Sequence, residues 1–197
     1  MMIDIYTKFI FIVLCFIIAL SSYWFCRSKK DWAYLSVAMG FTLVSDLFLL
    51  VVNNHAMGVL TFWFVQMAYI LRVSEDLQKS KMKIMATIIG GMAAFIIFRS
   101  DILIVLAVVY ALLFVQNVIA HVKYFSRGMP NRHMMLMGIL LFALCDIHVL
   151  MFNLPGFLPG IPVQIGAWGG TWIWVFYAPS QLLLSASAVR WGRVNTA

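Results

Sequence analysis

Residues 138–153 read GILLFALCDIHVLMFN, an apolar run interrupted by a carboxylate at Asp146 and an imidazole at His148. With the residues from Met134 onward it reaches about 20, the length a helix rising about 1.5 Å per residue needs to cross a hydrocarbon core of about 30 Å. Six more such runs occupy approximately 5–25, 32–52, 57–73, 84–98, 102–120 and 171–191. The fourth is the shortest and holds Gly90 and Gly91, though its flanks Lys83 and Arg99 can snorkel outward. Hydrophobic residues make up 64% of the 197 and charged ones 11%, a composition foreign to a soluble domain. The expected fold is all-α: a polytopic transmembrane helix bundle of seven spans, with residues 1–197 as one integral membrane domain.

Orientation is read from the 14 lysines and arginines, because cytoplasmic loops are enriched in them. Arg27, Lys29, Lys30, Arg72, Lys79, Lys81, Lys83, Lys123, Arg127, Arg132, Arg190 and Arg193 fall on one side, and only Lys8 and Arg99 on the other. Twelve against two puts the N-terminus outside and the C-terminus in the cytoplasm, which needs an odd number of spans. The net charge of +7 is explained by this topology, and nucleic-acid binding is not expected. Basic residues follow the first apolar run and no small-residue cleavage site comes after it, so that run reads as a retained span. Cys15, Cys26 and Cys145 lack CxxC spacing and suggest neither a disulfide framework nor a metal site. Loops this short leave no room for a second domain. The longest stretch without a clear helix is LPGFLPGIPVQIGAWGG, residues 154–170. It reads either as a loop in the headgroup region anchored by Trp168 or as a lid or partly re-entrant segment over an outward-facing cavity.

Asp146 has a counterpart. At an offset of 100 residues SDLFLLVVN, from Ser45, falls on CDIHVLMFN, from Cys145, matching Asp46 with Asp146 and Asn53 with Asn153. A seven-residue interval is close to two helical turns, which places each Asp and Asn on one face. The following helices correspond loosely, Gln66 and Tyr69 with Tyr177 and Gln181, so the helix pairs 2–3 and 6–7 read as an internal repeat. Measured along the helices, Asp46 and Asp146 lie about 9 Å from the outer end, Tyr177 about 10 Å, Tyr110 about 12 Å and Gln66 about 13 Å. A carboxylate inside a span costs at least about 2.5–3.5 kcal/mol on insertion scales, so two at one depth point to a cavity or pathway. His148, two residues from Asp146, projects about 160° away from it and is not expected to be its partner. Met134, Met135, Met137 and Met151 read as packing.

Two carboxyls in a low-dielectric pocket do not titrate alike, so one can keep its proton while the other ionises. A general acid beside a general base suits cleavage of an acetal or enol ether through an oxocarbenium-like state; it equally suits a proton-coupled transporter. No Ser-His-Asp order, HExxH, P-loop, GxGxxG or GxGD sequence offers another chemistry. GFTLVSDLFLL with FWFVQMAYI, and GILLFALCDIHVL with FYAPSQLLL, resemble the pattern of the YhhN family of multi-span membrane proteins, which includes the lysoplasmalogenases. The resemblance covers roughly residues 38–72 and 133–188. It implies hydrolysis of the vinyl ether bond of lysoplasmalogens to a fatty aldehyde and a glycerophospho head group, without metal or organic cofactor. It also implies Asp46 and Asp146 as catalytic acids, with Tyr69, Tyr177 and Gln181 shaping the site. Gln66, Tyr110, Asn53 and Asn153 complete the expected substrate-binding set. Family members often have Gly-Asp at Ser45-Asp46, His at Gln66 and Ser-Asp at Cys145-Asp146, and eight spans are common among them. The expected partners are the bilayer and a lipid or lysophospholipid, and the expected location a bacterial inner membrane; a non-catalytic subunit of a membrane complex is the further alternative. The oligomeric state, head group and chain length have no signature in the sequence.

Overall fold

The computed structural model describes residues 5–26, 28–98, 101–128, 131–157 and 160–189. Among these, seven helices follow one another: α1 Ile5–Ser21, α2 Lys29–Asp46, α3 His55–Val73, α4 Leu77–Phe98, α5 Ile102–Ser126, α6 Arg132–Phe157 and α7 Val163–Ala186. Each corresponds to one of the seven apolar runs. A short 3-10 turn, Ser22–Trp24, follows α1, and a π-helical segment, Leu47–Val52, continues α2. No strand is present among the described residues, only an isolated bridge between Cys26 and Val189.

Local chemistry sets the helix ends. Ser28 caps α2 by accepting from Asp31 N–H at 3.4 Å, Asn54 caps α3 through Met57 N–H at 3.1 Å, and Asp101 caps α5 through Leu103 N–H at 2.7 Å. Asn53 ends the π segment in the left-handed region (φ 57°), a conformation asparagine tolerates better than most side chains.

Two boundary expectations are corrected. α4 starts at Leu77, seven residues before the apolar run, because the stems of Lys79, Lys81 and Lys83 are good helix formers that hydropathy discounts. Residues 154–170 are mostly not a loop. α6 continues through Pro155 to Phe157, and α7 begins at Val163. A Cβ at Gly169 would sit 2.7 Å from His148 O and Phe152 N, so the GAWGG segment is the close-packed first turns of α7 against the last turns of α6. Residues 163–170 are therefore helix rather than loop. The expected end of helix 7 at Trp191, with Arg27, Arg99, Arg190 and Arg193, lies outside the described residues.

Five helical stretches, Ile5–Trp24, Lys29–Val52, His55–Val73, Ile102–Ser126 and Arg132–Gly156, are long and apolar enough to cross a membrane. α4 and α7 have the length but are diluted, α4 by its lysines and α7 by Gln164, Thr171, Ser180, Gln181 and Ser185. The bundle also buries polar side chains while turning large apolar ones outward. Gln66, Asn117, Ser180, Gln181 and Ser185 are fully buried, whereas Ile10, Leu112, Val115 and Leu150 are more than half exposed. That distribution suits a hydrocarbon solvent and marks a membrane protein.

One end of the bundle is tied by polar contacts. Arg72, closing α3, grips Asp31 through Nε and Nη2 at 2.8 and 3.0 Å and donates to Ser187 Oγ at 2.8 Å. Asn131 donates to the carbonyls of Ser187 and Val189 at 2.8 and 2.7 Å. The start of α2 and the ends of α3 and α7 are thereby clamped together.

Candidate functional site

Asp46 is the last residue of α2, where the backbone widens into the π segment. Such a bulge adds a residue to the turn and frequently marks a functional position. The neighbouring contact with α3 is close: Ser45 Oγ lies 2.6 Å from Thr61 Oγ1 and donates to Gly58 O at 3.1 Å. A Cβ at Gly58 would come within 2.4 Å of Leu49 Cδ2, so glycine there admits the π segment against α3. Asp46 turns inward, 4% exposed, and accepts from Tyr177 Oη of α7 at 2.6 Å.

Asp146 lies in the middle of α6 and is only half-buried. Its Oδ2 accepts from Tyr110 Oη of α5 at 2.7 Å. Tyr110 Oη in turn accepts from Gln66 Nε2 of α3 at 3.3 Å, and Gln66 Oε1 accepts from Asn117 Nδ2 of α5 at 2.7 Å. All donors point one way, from Asn117 through Gln66 and Tyr110 to the carboxylate. His121, one turn beyond Asn117, lies 3.0 Å from Asn117 O through Nδ1, and its ring meets that of Tyr69 at 6.3 Å.

The two carboxyl–phenol pairs share an aromatic divider. The Phe142 ring is 5.8 Å from Tyr177 and 6.0 Å from Phe62, and Phe62 is 5.9 Å from Tyr110. Four helices thus deliver two acids, each capped by a phenol from another helix, inside an apolar shell. Such a site can hold a proton on one carboxyl, accept one on the other and shield Asp46 from bulk water.

The five residues expected at one depth, Asp46, Asp146, Tyr177, Tyr110 and Gln66, are all drawn into these two sets. Others are not. Tyr69 is fully buried but donates to Met39 Sδ at 3.4 Å, outside both sets. Gln181 is fully buried one turn from Tyr177, and neither of its amide atoms has a partner among the described residues. Asn53 and Asn153 are exposed. The first ends a π segment rather than two α turns, which breaks the expected one-face register, and the second folds back on Val149 O at 2.7 Å. Neither asparagine joins the carboxyls. His148 points to Leu144 O at 2.7 Å and stacks near Phe176, away from Asp146 as its spacing requires. Asn117 and His121 were not anticipated, although their spacing of seven and eleven residues from Tyr110 puts all three on one face of α5. Among the described residues no three His, Cys, Asp or Glu side chains gather as a metal site.

A family model, the YhhN family, matches residues 3–188, nearly the whole chain. No curated protein and no solved structure matches it.

Proposed function

The chain belongs to the YhhN family, and from that premise we propose that it is a membrane-embedded hydrolase that cleaves the vinyl ether bond of lysoplasmalogens. The observation that carries this reading is the placement of two aspartic acids from α2 and α6 inside an apolar bundle, each accepting a phenol hydrogen bond. In this reading all seven helices span a bacterial inner membrane, with the basic end in the cytoplasm.

Asp46, the more enclosed carboxyl, donates its proton to the vinyl carbon distal to the ether oxygen and leaves an oxocarbenium ion. Asp146, half-buried, orients water onto the adjacent carbon and takes up the proton that the water releases. The hemiacetal so formed collapses to a fatty aldehyde and the glycerol hydroxyl: Asp146 returns its proton to the departing glycerol oxygen, and the hemiacetal hydroxyl gives its proton to Asp46, so both carboxyls regain their starting states. Tyr177 and Tyr110 fix one oxygen of each carboxyl, leaving the other to face substrate. Purified protein supplied with a lysoplasmalogen should release aldehyde, and the saturated alkyl ether analogue, which has no carbon to protonate, should stay intact. No aldehyde from the vinyl ether under any detergent or lipid condition would sink the hydrolase reading.

A second reading, a proton-coupled carrier, is favoured by the polar run from Asp146 through Tyr110, Gln66 and Asn117 to His121, which leads along α5 toward the clamped end. It predicts pH-driven flux in proteoliposomes with every lipid chemically unchanged.

A further inference from the structure

Away from the carboxyls, a cavity of about 520 Å³ opens where α3 and α5 end and α4 begins. Its apolar wall is Val73, Ile119 and Ala120, and its rim carries four cations, Lys79 and Lys83 from α4 and Lys123 and Arg127 from the end of α5. Two of these are engaged. Arg127 pairs with Glu75 and donates through Nη2 to Val73 O at 3.0 Å, while Lys79 pairs with Asp76 at 3.7 Å. The Lys79 N–H bond to Asp76, with the Lys79 charge beside it, holds that carboxyl below its ordinary range. Lys83 and Lys123 have no carboxylate partner among the described residues, so the rim is left with two uncompensated charges, one from α4 and one from α5.

Beside the charged rim lies an apolar flank of α4 and α5. Ile119 is 49% exposed, and Val115 and Val122 on α5 with Met82 and Met85 on α4 flank it, all exposed. Lys83 and Lys123 are themselves exposed; a soluble anion would engage the lysines alone, whereas a lipid presents its phosphate at the rim and its chains to the apolar flank. A zwitterionic headgroup carries its own cation and would leave the excess charge unbalanced.

We propose that this cleft binds the headgroup phosphate of an anionic membrane phospholipid, with Lys83 and Lys123 as its ligands and an acyl chain along the exposed face of α5. The site is separate from the carboxyl pairs and does not depend on the hydrolase reading. At about 1 kcal/mol for each basic residue near a membrane surface, loss of both lysines should lower the preference for anionic over zwitterionic lipid by roughly tenfold or more.

The test reconstitutes the full chain in mixed phosphatidylglycerol and phosphatidylcholine, then measures by native mass spectrometry which lipid stays bound. The wild type should retain phosphatidylglycerol preferentially. K83Q/K123Q should lose that preference while keeping its helical circular dichroism, whereas K30Q/K81Q, an equal charge change on exposed lysines outside the cleft, should keep it. An equal loss in both double variants would overturn the cleft in favour of a diffuse surface potential, and no loss in either would overturn it outright. Inorganic phosphate as competitor should not displace the lipid; displacement would mean that the site recognises the free ion.

Discussion

The two carboxyl–phenol pairs use the same chemistry in different surroundings. Asp46 and Tyr177 are both almost fully enclosed, and the amide one turn away, Gln181, has no partner among the described residues. Asp146 is half-buried, and its phenol is backed by an amide, Gln66, that is itself held by Asn117. The two aspartates are thus inequivalent acids, because each is completed by different helices. Inequivalence is what acid–base division of labour requires: groups whose environments separate them can take opposite roles.

The largest expected effect tests whether both acids are needed. Asp46→Asn and Asp146→Asn should each lower the aldehyde-forming kcat by about 10²–10⁴-fold, the contribution of a general acid or base, with thermal unfolding in detergent little changed. If one variant keeps full turnover, its half of the comparison is structural and the two-acid mechanism fails.

Next in size are the phenols. Tyr177→Phe and Tyr110→Phe each remove one hydrogen bond to a carboxyl group. Such bonds are worth about 1.5–3 kcal/mol, or roughly ten- to a hundredfold in kcat/KM. Water can replace the lost donor at the half-buried Asp146 but not at the enclosed Asp46, so Tyr177→Phe should be the more damaging. Equal losses in steady-state kinetics would mean that exposure does not distinguish the two sites.

Much of this division was hidden in the sequence. Hydropathy located all seven helices, since an apolar run of about 20 residues is a property of the chain itself. The aspartates were conspicuous for the same reason, being costly where they stand. Which phenol serves which acid depends on how helices distant in sequence pack, Asp46 with Tyr177 and Asp146 with Tyr110, and periodicity within one helix carries no such information. Asn53 and Asn153 misled because a seven-residue interval implies one face only in an unbroken α-helix; the π segment after Asp46 removes that premise. Residues 154–170 misled because glycine and proline read as loop formers, while here Gly166, Gly169 and Gly170 allow α7 to pack against α6.

A smaller effect sharpens the exposed side. Asn117 donates to Gln66 and thereby fixes which amide atom Gln66 turns toward Tyr110. Asn117→Leu frees Gln66 to rotate, so that Tyr110 can donate to Gln66 Oε1 instead of Asp146. Activity should fall about two- to tenfold, the equivalent of one neutral hydrogen bond, and should fall no further when Asn117→Leu is added to Tyr110→Phe. Additive losses in that double-mutant cycle would place Asn117 outside the relay.

The smallest effect concerns the amide without a partner. Burying an unpaired polar group costs about 1–3 kcal/mol, and Gln181 holds two such atoms in the core. Leucine is close to glutamine in volume and has no polar atom, so Gln181→Leu should raise thermal stability in detergent by up to a few degrees if the amide is only a packing defect. If Gln181 instead donates to bound substrate beside Tyr177, as the resemblance implied, the same variant should raise KM with kcat nearly unchanged. The equivalent change at Gln66, whose amide is satisfied on both sides, should destabilise instead, because it strands Asn117. Opposite signs of the stability change at the two glutamines would establish that the enclosed pair keeps an open polar valence for a ligand or a defect, while the half-buried pair is already complete; like signs would erase the distinction.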